Sequence, residues 1–177
     1  MDYKFCPYCG KALQKQLDGN KKRWYCNQCK RTHYRNPTVG VAVIILKNNN
    51  ILLVERRGLD NGKWCIPCGH VEWGEEIRAA AIREIKEETD LDIDIGPVFT
   101  VHSNFHDMDH QTVGVWFWGN CKSDDLQPGS DASAARFFSL DDLPDTMAFP
   151  TDLVVCRHLK HWSESKKLQR WLDLCFG

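Results

Sequence analysis

Three glutamates stand close together in a segment whose spacing predicts a helix. Apolar residues recur at every fourth position from 77 to 85 and form the stripe of an amphipathic helix. On that helix Glu84 and Glu88 share one face, and Glu87 lies at its edge. Carboxylates at this spacing repel one another unless something neutralises them. A hard divalent cation does so, and Mg²⁺ held by carboxylates and substrate phosphates is the usual case.

The glutamates belong to a longer run with a recognisable pattern. Gly69-His70-Val71-Glu72-Trp73-Gly74-Glu75 is followed, after seven residues, by Arg83-Glu84-Ile85-Lys86-Glu87-Glu88-Thr89-Asp90-Leu91. This run resembles the Nudix box, a glycine followed at set spacing by Glu and by Arg-Glu-apolar-x-Glu-Glu-x-Gly-apolar. Each fixed position matches except Asp90, which stands where the family has glycine. We expect Asp90 just past the helix C-terminus in a left-handed conformation, at a cost of about 1 kcal/mol relative to Gly.

The resemblance implies a role for each matched residue. The reaction would be hydrolysis of a diphosphate that links a nucleoside to another moiety, with Mg²⁺ or Mn²⁺ neutralising charge on the phosphate oxygens. Glu87 and Glu88 would bind the metal, and Glu84 would be a ligand or the base. The backbone carbonyl of Cys68 would lie at the metal, and Arg83 would orient the glutamates. Glu75 is expected to begin the helix and to support the site through Arg83. Four further candidate bases or ligands follow no motif, and a surface role is favoured for each: His102, His106, Asp107 and Asp131.

Two cysteine pairs predict a second metal site. Cys6-x-x-Cys9 and Cys26-x-x-Cys29 are separated by sixteen residues, a spacing typical of a zinc ribbon with four thiolates on one structural Zn²⁺. A segment of about 35 residues cannot bury enough apolar surface alone, so the metal would let it fold. His33 is a spare ligand candidate, but four cysteines already close the site. Because such pairs belong to a reducing compartment and no signal-peptide pattern is present, we expect a cytoplasmic protein.

The charge is divided unevenly along the chain. Residues 1–36 hold nine Lys/Arg and two Asp/Glu, a formal +7, whereas residues 37–177 hold fourteen and twenty-two, a formal −8. Basic residues flank Trp24, Tyr25 and Tyr34, which makes nucleic-acid binding one interpretation. We favour a folding role for the metal or a protein–protein surface, since zinc with four thiolates carries net −2. No apolar run is long enough to span a bilayer, so no membrane partner is expected, and a homodimer is left open.

The elements predict two domains. Asn36-Pro37 marks a boundary between a zinc ribbon at 1–36 and a catalytic domain with C-terminal helices at 37–177. Apolar runs at 39–46 and 51–54 predict a hairpin, followed by a helix at about 75–89, strands at 91–101, 111–121 and 136–140, and a helical segment at 151–176. This order favours an α+β fold, and the resemblance, which covers about 37–162, implies an α/β/α sandwich with a mixed sheet.

A third cysteine pair offers an alternative chemistry. Trp64-Cys65-Ile66-Pro67-Cys68 is similar to a thioredoxin active site, which requires the pair at a helix N-terminus. Here the next residues predict a loop, so we do not favour a redox role.

The substrate is less sharply indicated. A zinc ribbon before a Nudix domain is similar to the NADH pyrophosphatases, whose Ser-Gln-Pro-Trp-type motif is absent from His102-Ser103-Asn104-Phe105-His106. NADH specificity is therefore not supported. We favour a pyrophosphohydrolase of a small nucleotide, such as ADP-ribose, a dinucleotide cofactor or a nucleoside triphosphate. The alternatives are removal of RNA 5′ phosphates or caps with the ribbon holding the strand, and a non-catalytic nucleotide-sensing adaptor, against which the complete glutamate set argues.

Overall fold

The computed structural model describes residues 3–58, 61–105, 107–123, 125–129, 131–164 and 173–174. The chain divides into two compact units, Met1–Pro37 and Thr38–Gly177. The division falls one residue after the boundary that Asn36-Pro37 suggested. In the described part, no helix is both long enough and apolar enough to cross a membrane.

The first unit is a small three-stranded antiparallel sheet. Its strands are β1 (Gln14–Asp18), β2 (Lys21–Cys26) and β3 (Arg31–His33), in that order across the sheet. Each cysteine pair forms a tight turn that ends in a left-handed residue, Gly10 with φ 69° and Lys30 with φ 55°. The buried residues of this unit are Cys6, Leu13 and Cys26, with Trp24 packed against them. Two of the three are cysteines, so apolar packing contributes little here.

The second unit holds the remaining elements. In chain order they are β4 (Thr38–Ile44), β5 (Leu46–Lys47), β6 (Asn50–Arg56), β7 (Trp64–Cys65), β8 (Cys68–His70), α1 (Ile77–Thr89), β9 (Ile93–Asn104), β10 (Thr112–Cys121), β11 (Ala132–Ser139) and α2 (Pro150–Glu164). One sheet has the order β8-β4-β10-β9, with β4 and β10 parallel and the other pairs antiparallel. The second sheet has the order β11-β6-β5, and β7 also pairs with β6.

The helices cover opposite faces of these strands. Val41 and Val43 of β4 pack in one core with Ala81 and Ile85 of α1. The alternate residues of β4, including Ile44, pack in a second core with α2. Because side chains of a strand point alternately to its two faces, a strand buried on both sides reads as a continuous apolar run. The arrangement confirms the predicted α+β sandwich with a mixed sheet.

The predicted hairpin at the start of this unit is wrong for most of its length. The apolar run divides at Ile45: β4 pairs with β8 and β10, and only the two residues of β5 pair with β6. A two-residue turn joins β5 to β6, in which Asn48 and Asn49 have φ of 50° and 62°, as primed hairpin turns require. The local apolar pattern does not reveal which strand becomes the neighbour.

The two ends of α1 can be compared with the start and the C-terminal residue predicted from the sequence. The helix begins at Ile77, two residues after the expected start at Glu75, and Glu76 is the N-cap, whose carboxylate accepts hydrogen bonds from Arg78 N (2.8 Å) and Ala79 N (3.0 Å). Asp90 caps the C-terminus in the left-handed region, with φ 56° and ψ 10°, and this prediction is confirmed.

Other bounds also differ from expectation: the strands expected at 91–101 and 136–140 are β9 (Ile93–Asn104) and β11 (Ala132–Ser139). Residues 68–70, expected as loop, form the edge strand β8, because the backbone there pairs with β4. The helix α2 ends at Glu164, and the predicted helical segment beyond it lies outside the described residues, apart from residues 173–174.

Candidate active site and metal centre

Arg83 connects the acidic side chains of the α1 segment. Its guanidinium donates to both oxygens of Glu75 (2.8 and 2.9 Å), to Glu84 Oε1 (2.8 Å) and to Glu87 Oε2 (3.0 Å). It also donates to the backbone carbonyl of His70 (3.0 Å). A planar guanidinium bound in this way holds several carboxylates in one arrangement. Glu75 therefore contacts Arg83 from the loop that precedes the helix, not from within its first turn.

Glu88 is held separately, from the strand β8. Its side chain is buried, and its Oε2 accepts a hydrogen bond from the backbone N–H of Cys68 (2.8 Å). The turn at Cys68 is therefore in direct contact with the glutamate set. The structure records this contact through the amide N–H, whereas the proposed role of the Cys68 carbonyl stays a prediction.

Two glycines allow backbone segments to approach these glutamates closely. A Cβ at Gly69 would overlap the carboxyl group of Glu84, so any larger residue at this point of β8 would displace that carboxylate. A Cβ at Gly129 would overlap the backbone carbonyl of Glu87, and the Gly129 N–H donates to Glu88 O (2.9 Å). The 125–129 segment also donates Gln127 N–H to Thr89 O (3.0 Å), which satisfies carbonyls left open at the helix end.

The electrostatics of the set suit a cation. Burial raises the pKa of Glu88 to about 8, helped by the charge of Glu84, although the Cys68 N–H acts in the opposite direction. Burial also raises the pKa of Glu84. In contrast, the hydrogen bonds from Arg83 lower the pKa of Glu75 to about 2. A divalent cation nearby would favour the charged form of these carboxylates, and their oxygens are the ligands that a hard ion prefers. The donor set therefore fits Mg²⁺ or Mn²⁺.

A cavity of about 220 Å³ lies beside this set. Its lining includes Cys68 and His70 from β8, Arg56 from β6, and Phe149 and Asp152 at the start of α2. The guanidinium of Arg56 lies 5.1 Å from the centre of the Phe149 ring. The cavity therefore lies between the turn at Cys68, which contacts Glu88, and residues far away in the sequence.

Asp152 is a buried residue in the lining of this cavity and is hydrogen-bonded on both oxygens. Ile66 N–H donates to Oδ2 (3.0 Å) and Trp116 Nε1–H donates to Oδ1 (3.2 Å). Burial raises the pKa of Asp152 to about 7 against the effect of these donors. Two other polar atoms of the lining, Asn104 Oδ1 and Thr151 Oγ1, are buried and have no hydrogen-bond partner among the described residues. A ligand in the cavity can supply those partners.

The candidate bases are dispersed. Asp107 lines the cavity and accepts a hydrogen bond from the His110 backbone N–H (3.1 Å), with the His110 ring 2.9 Å away. The ring of His102 lies edge-on to Trp116, with centroids 5.5 Å apart. The charge of Asp131 acts on Glu88 and raises its pKa. His106 lies outside the described residues.

The four cysteines of the first unit come together. The Sγ atoms of Cys6, Cys9, Cys26 and Cys29 all lie within 4.8 Å of one another. Two of the pairs are 3.6 and 3.9 Å apart, Cys9–Cys26 and Cys6–Cys29. A tetrahedral zinc with Zn–S bonds of about 2.3 Å requires S–S separations of about 3.8 Å, so the cluster fits this metal. His33 Nε2 lies 3.5 Å from Cys6 Sγ, as a residue that hydrogen-bonds to a ligand rather than as a fifth ligand.

Cys65 and Cys68 lie on the short strands β7 and β8, not at a helix N-terminus. Cys65 is buried, and a hydrogen bond with Cys65, together with burial, raises the pKa of the Cys68 thiol. Reactive thiols need a lowered pKa, so the geometry agrees with the expectation that this pair is not a redox centre.

Sequence reasoning missed most of the cavity lining. Arg56, Asn104, Thr151 and Asp152 carry no motif, and all four lie at the ends of elements. The available signal was Pro150 followed by two polar residues, which is typical of a helix start but does not indicate what the first turn faces.

Comparisons with known proteins agree with this geometry. Residues 36–159 match the model of the NUDIX domain, and residues 4–35 match the Nudix N-terminal zinc-ribbon model. The chain is 34% identical over 129 residues to the ADP-ribose pyrophosphatase of Methanocaldococcus jannaschii, covering 72% of this chain and 76% of that protein. It is 28% identical over 149 residues to the NAD-capped RNA hydrolase NudC of Vibrio atlanticus, covering 80% of this chain. The chain spans about half the length, 51%, of that relative.

A solved structure extends the likeness to the fold. The crystal structure of a Nudix hydrolase from Nitrosomonas europaea has a TM-score of 0.79 and 28% identity, covering 92% of this chain and 93% of that one. The family model covers well over half of the chain and includes the glutamate set and the cavity lining. The chain therefore belongs to the Nudix hydrolase family and carries the zinc-ribbon region found at the N-terminus of some of its members.

Proposed function

We propose that this protein is a Mg²⁺- or Mn²⁺-dependent pyrophosphohydrolase that cleaves the diphosphate of a small nucleotide. The observation that carries the proposal is the arrangement of Glu84, Glu87 and Glu88 around one end of α1, with Arg83 and the Cys68 N–H holding their carboxylates. A bound divalent cation would neutralise charge on the phosphate oxygens during hydrolysis.

Each of these residues is proposed to have its own role in forming the metal site. Glu84 and Glu88, which are largely buried, would hold the cation, and Glu87, whose side chain is 46% exposed, would complete the set from the solvent side. Arg83 would bridge and orient Glu84 and Glu87 through its Nη1, while Glu75 fixes Arg83. The Cys68 carbonyl is proposed as a further ligand, and Glu84 remains the candidate base.

The cavity is proposed to hold the nucleoside end of the substrate. At about 220 Å³ it is smaller than the roughly 300 Å³ at which pockets for whole drug-sized ligands begin, so it accommodates one part of a dinucleotide and leaves the diphosphate at the glutamates. The unsatisfied atoms Asn104 Oδ1 and Thr151 Oγ1 are suited to the polar edge of a base or to ribose hydroxyls.

Within this class we propose ADP-ribose or a similar nucleoside diphosphate compound as the leading substrate. The relative with this named activity matches the chain over most of both proteins. An RNA 5′ end is the second candidate, because other relatives are named NAD-capped RNA hydrolases, although the chain covers only about half of them.

A hydrolysis screen tests the proposal. The purified protein with Mg²⁺ is offered ADP-ribose, oxidised and reduced dinucleotide cofactors, nucleoside triphosphates and a 5′-capped RNA, and the products are identified. We expect cleavage of ADP-ribose within the diphosphate, and a loss of at least about 10²-fold in Glu88→Gln. Asp142→Asn, the same type of change at an exposed turn, should keep full activity. Equal turnover in wild type and Glu88→Gln at limiting Mg²⁺ would contradict the assignment.

A second pair of variants tests the cavity. Thr151→Val and Asn104→Ala should raise KM for the preferred nucleotide with a smaller change in kcat, because they remove contacts to the part that does not react. An unchanged KM in both would mean that the nucleoside binds elsewhere.

A further inference from the structure

The zinc-ribbon unit has a cavity of its own with an unusual lining. About 210 Å³ in volume, it is bordered by four basic residues and three rings. The basic residues are Lys15, Lys22, Arg23 and Arg35, and the rings are Tyr3, Trp24 and His33. No cysteine of the cluster is among the described residues that line it. Four of the nine basic residues in segment 1–36 therefore lie at one concave surface, which borders the cysteine cluster at His33.

The zinc cluster does not account for this charge. The segment 1–36 carries a formal +7, and a zinc ion with four thiolates contributes about −2. An excess of about five positive charges therefore remains on a very small module. Asp18 is the single acidic residue between positions 3 and 36, and it is paired with Arg23 at 3.1 Å.

Rings and cations alternate across the sheet at this cavity. The strand register places Lys15 opposite Trp24, and Trp24 opposite His33, in one row across β1, β2 and β3. Lys15 Nζ lies 4.9 Å from the centre of the Trp24 ring. Lys22 lies two residues before Trp24 on the same strand and so on the same face. The row thus brings rings and positive charges together: Lys15 lies over the Trp24 ring, which also packs against the buried residues of this unit, and His33 Nε2 lies 3.5 Å from Cys6 Sγ.

The combination of cations and rings favours some classes of anionic ligand over others. An acidic peptide or a phosphate ion would use the cations but not the rings. A single strand of nucleic acid uses both, since its phosphates bind Lys and Arg while its unpaired bases stack on aromatic side chains. A duplex would offer the phosphates but not the base faces. We propose that the cavity of the zinc ribbon is a binding site for single-stranded nucleic acid.

The test uses the full-length, zinc-containing protein and fluorescence anisotropy. The probes are a labelled single-stranded RNA of about 12 nucleotides, the DNA of the same sequence, the corresponding duplex, and a polyglutamate peptide. We expect the single strands to bind more tightly than the duplex and the peptide. Comparison of the RNA and DNA arms shows whether the 2′-hydroxyl contributes.

Matched variants locate the site. Lys15→Ala with Lys22→Ala should weaken single-strand binding at least about fivefold at low salt and reduce the slope of log Kd against log salt by about 1.4, for two lost phosphate contacts. Lys4→Ala with Lys11→Ala removes the same charge from exposed positions outside the cavity, and we expect less than about a twofold effect. Trp24→Leu should weaken binding at least about fivefold through lost stacking, provided that the zinc content is unchanged.

Several results would overturn the proposal. These are an equal loss in both lysine pairs, equally tight binding of duplex or polyglutamate, or no binding of either single strand at about 50 mM salt. ADP-ribose hydrolysis should stay unchanged in both lysine pairs. Failure of the hydrolase proposal would therefore be seen in the activity screen and not in these binding measurements.

Discussion

At the scale of single residues, Asp152 couples the protein's stability to pH. It is buried, accepts hydrogen bonds from Ile66 N–H and Trp116 Nε1–H, and burial raises its pKa to about 7. The unfolded value is about 3.9. Between these values the folded state holds a proton that the unfolded state has lost, so this carboxyl's contribution to the free energy of unfolding falls as pH rises from about 4 to about 7 and is constant above that.

The prediction concerns the difference between wild type and Asp152→Asn. In this pH window the free energy of unfolding, measured by urea titration, should fall more steeply with pH for wild type than for the variant. Subtracting the variant's free energy from that of wild type cancels the contribution of the other carboxylates. Asp142→Asn, at an exposed turn, serves as the control and should follow wild type. A wild-type curve parallel to that of Asp152→Asn from about pH 4 to about pH 8 would show that Asp152 ionises normally in the folded state.

At the scale of elements, the C-terminus of α1 departs from the family pattern. Asp90 occupies the left-handed position where the family has glycine, and its side chain pairs with Lys86 at 2.8 Å. An exposed pair of this kind contributes about 0.3–0.5 kcal/mol, whereas a left-handed residue with a Cβ costs about 1 kcal/mol or more. Local backbone preference therefore outweighs the ion pair.

Two substitutions separate these effects. Asp90→Gly and Asp90→Ala both remove the Lys86 pair, but only glycine relieves the backbone. We expect the glycine variant to be more stable than the alanine variant by about 1 kcal/mol in chemical denaturation, with the same hydrolysis rate in both. Equal stabilities would mean that the left-handed conformation carries no cost at this position.

Substitutions in strands β7 and β8 test the hypothesis that the third cysteine pair is a redox centre. The site uses the Cys68 backbone, not its thiol, to contact Glu88. Cys65→Ser with Cys68→Ser should therefore leave diphosphate hydrolysis largely unchanged, although a hydroxyl at the buried Cys65 lowers stability by about 1–3 kcal/mol. Hydrolysis and insulin reduction are compared for both proteins. Thiol-dependent reductase turnover by the wild type would revive the redox alternative.

At the scale of the whole molecule, we predict that the first unit depends on a bound metal. The four Sγ atoms are spaced for tetrahedral zinc, and few other residues of this unit are buried. Protein purified without added metal should contain about one zinc per chain. Cys26→Ser with Cys29→Ser should lose it, whereas Cys121→Ser, outside the cluster, should retain it. Full zinc content in the double variant would show that the metal binds elsewhere.

The division into two units predicts that hydrolysis and nucleic-acid binding belong to different units. The glutamates and the larger cavity all lie in the unit that begins at Thr38. A truncated chain beginning at Asn36 should therefore hydrolyse the small nucleotide with a similar kcat and bind single-stranded nucleic acid much more weakly. If a folded truncated chain lost its kcat, the ribbon would have to be part of the active site.

The sequence alone determined the features that depend on short spacings. Positions three or four apart on α1 place Glu84, Glu87 and Glu88 together, because the helix repeats every 3.6 residues. Each Cys-x-x-Cys turn also brings two thiols together through a short spacing, and the four cysteines stay predicted zinc ligands. The left-handed Asp90 followed from its place after the last helical turn. The family motif suggested roles for these residues, which stay predictions, and the order of elements indicated the sandwich.

The tertiary structure decided what depends on contacts between distant segments. The local pattern of β4 did not show that its parallel neighbour is β10, more than sixty positions later. Gly129 and the cavity residues Asn104, Thr151 and Asp152 acquire their surroundings only when α2, the sheet and the 125–129 segment pack together. Likewise, the basic and aromatic residues of the ribbon became one surface through strand register. The periodicity of apolar residues indicates which face of an element is buried. Which strand or helix packs against that face depends on the whole chain, so it cannot be read from local spacing.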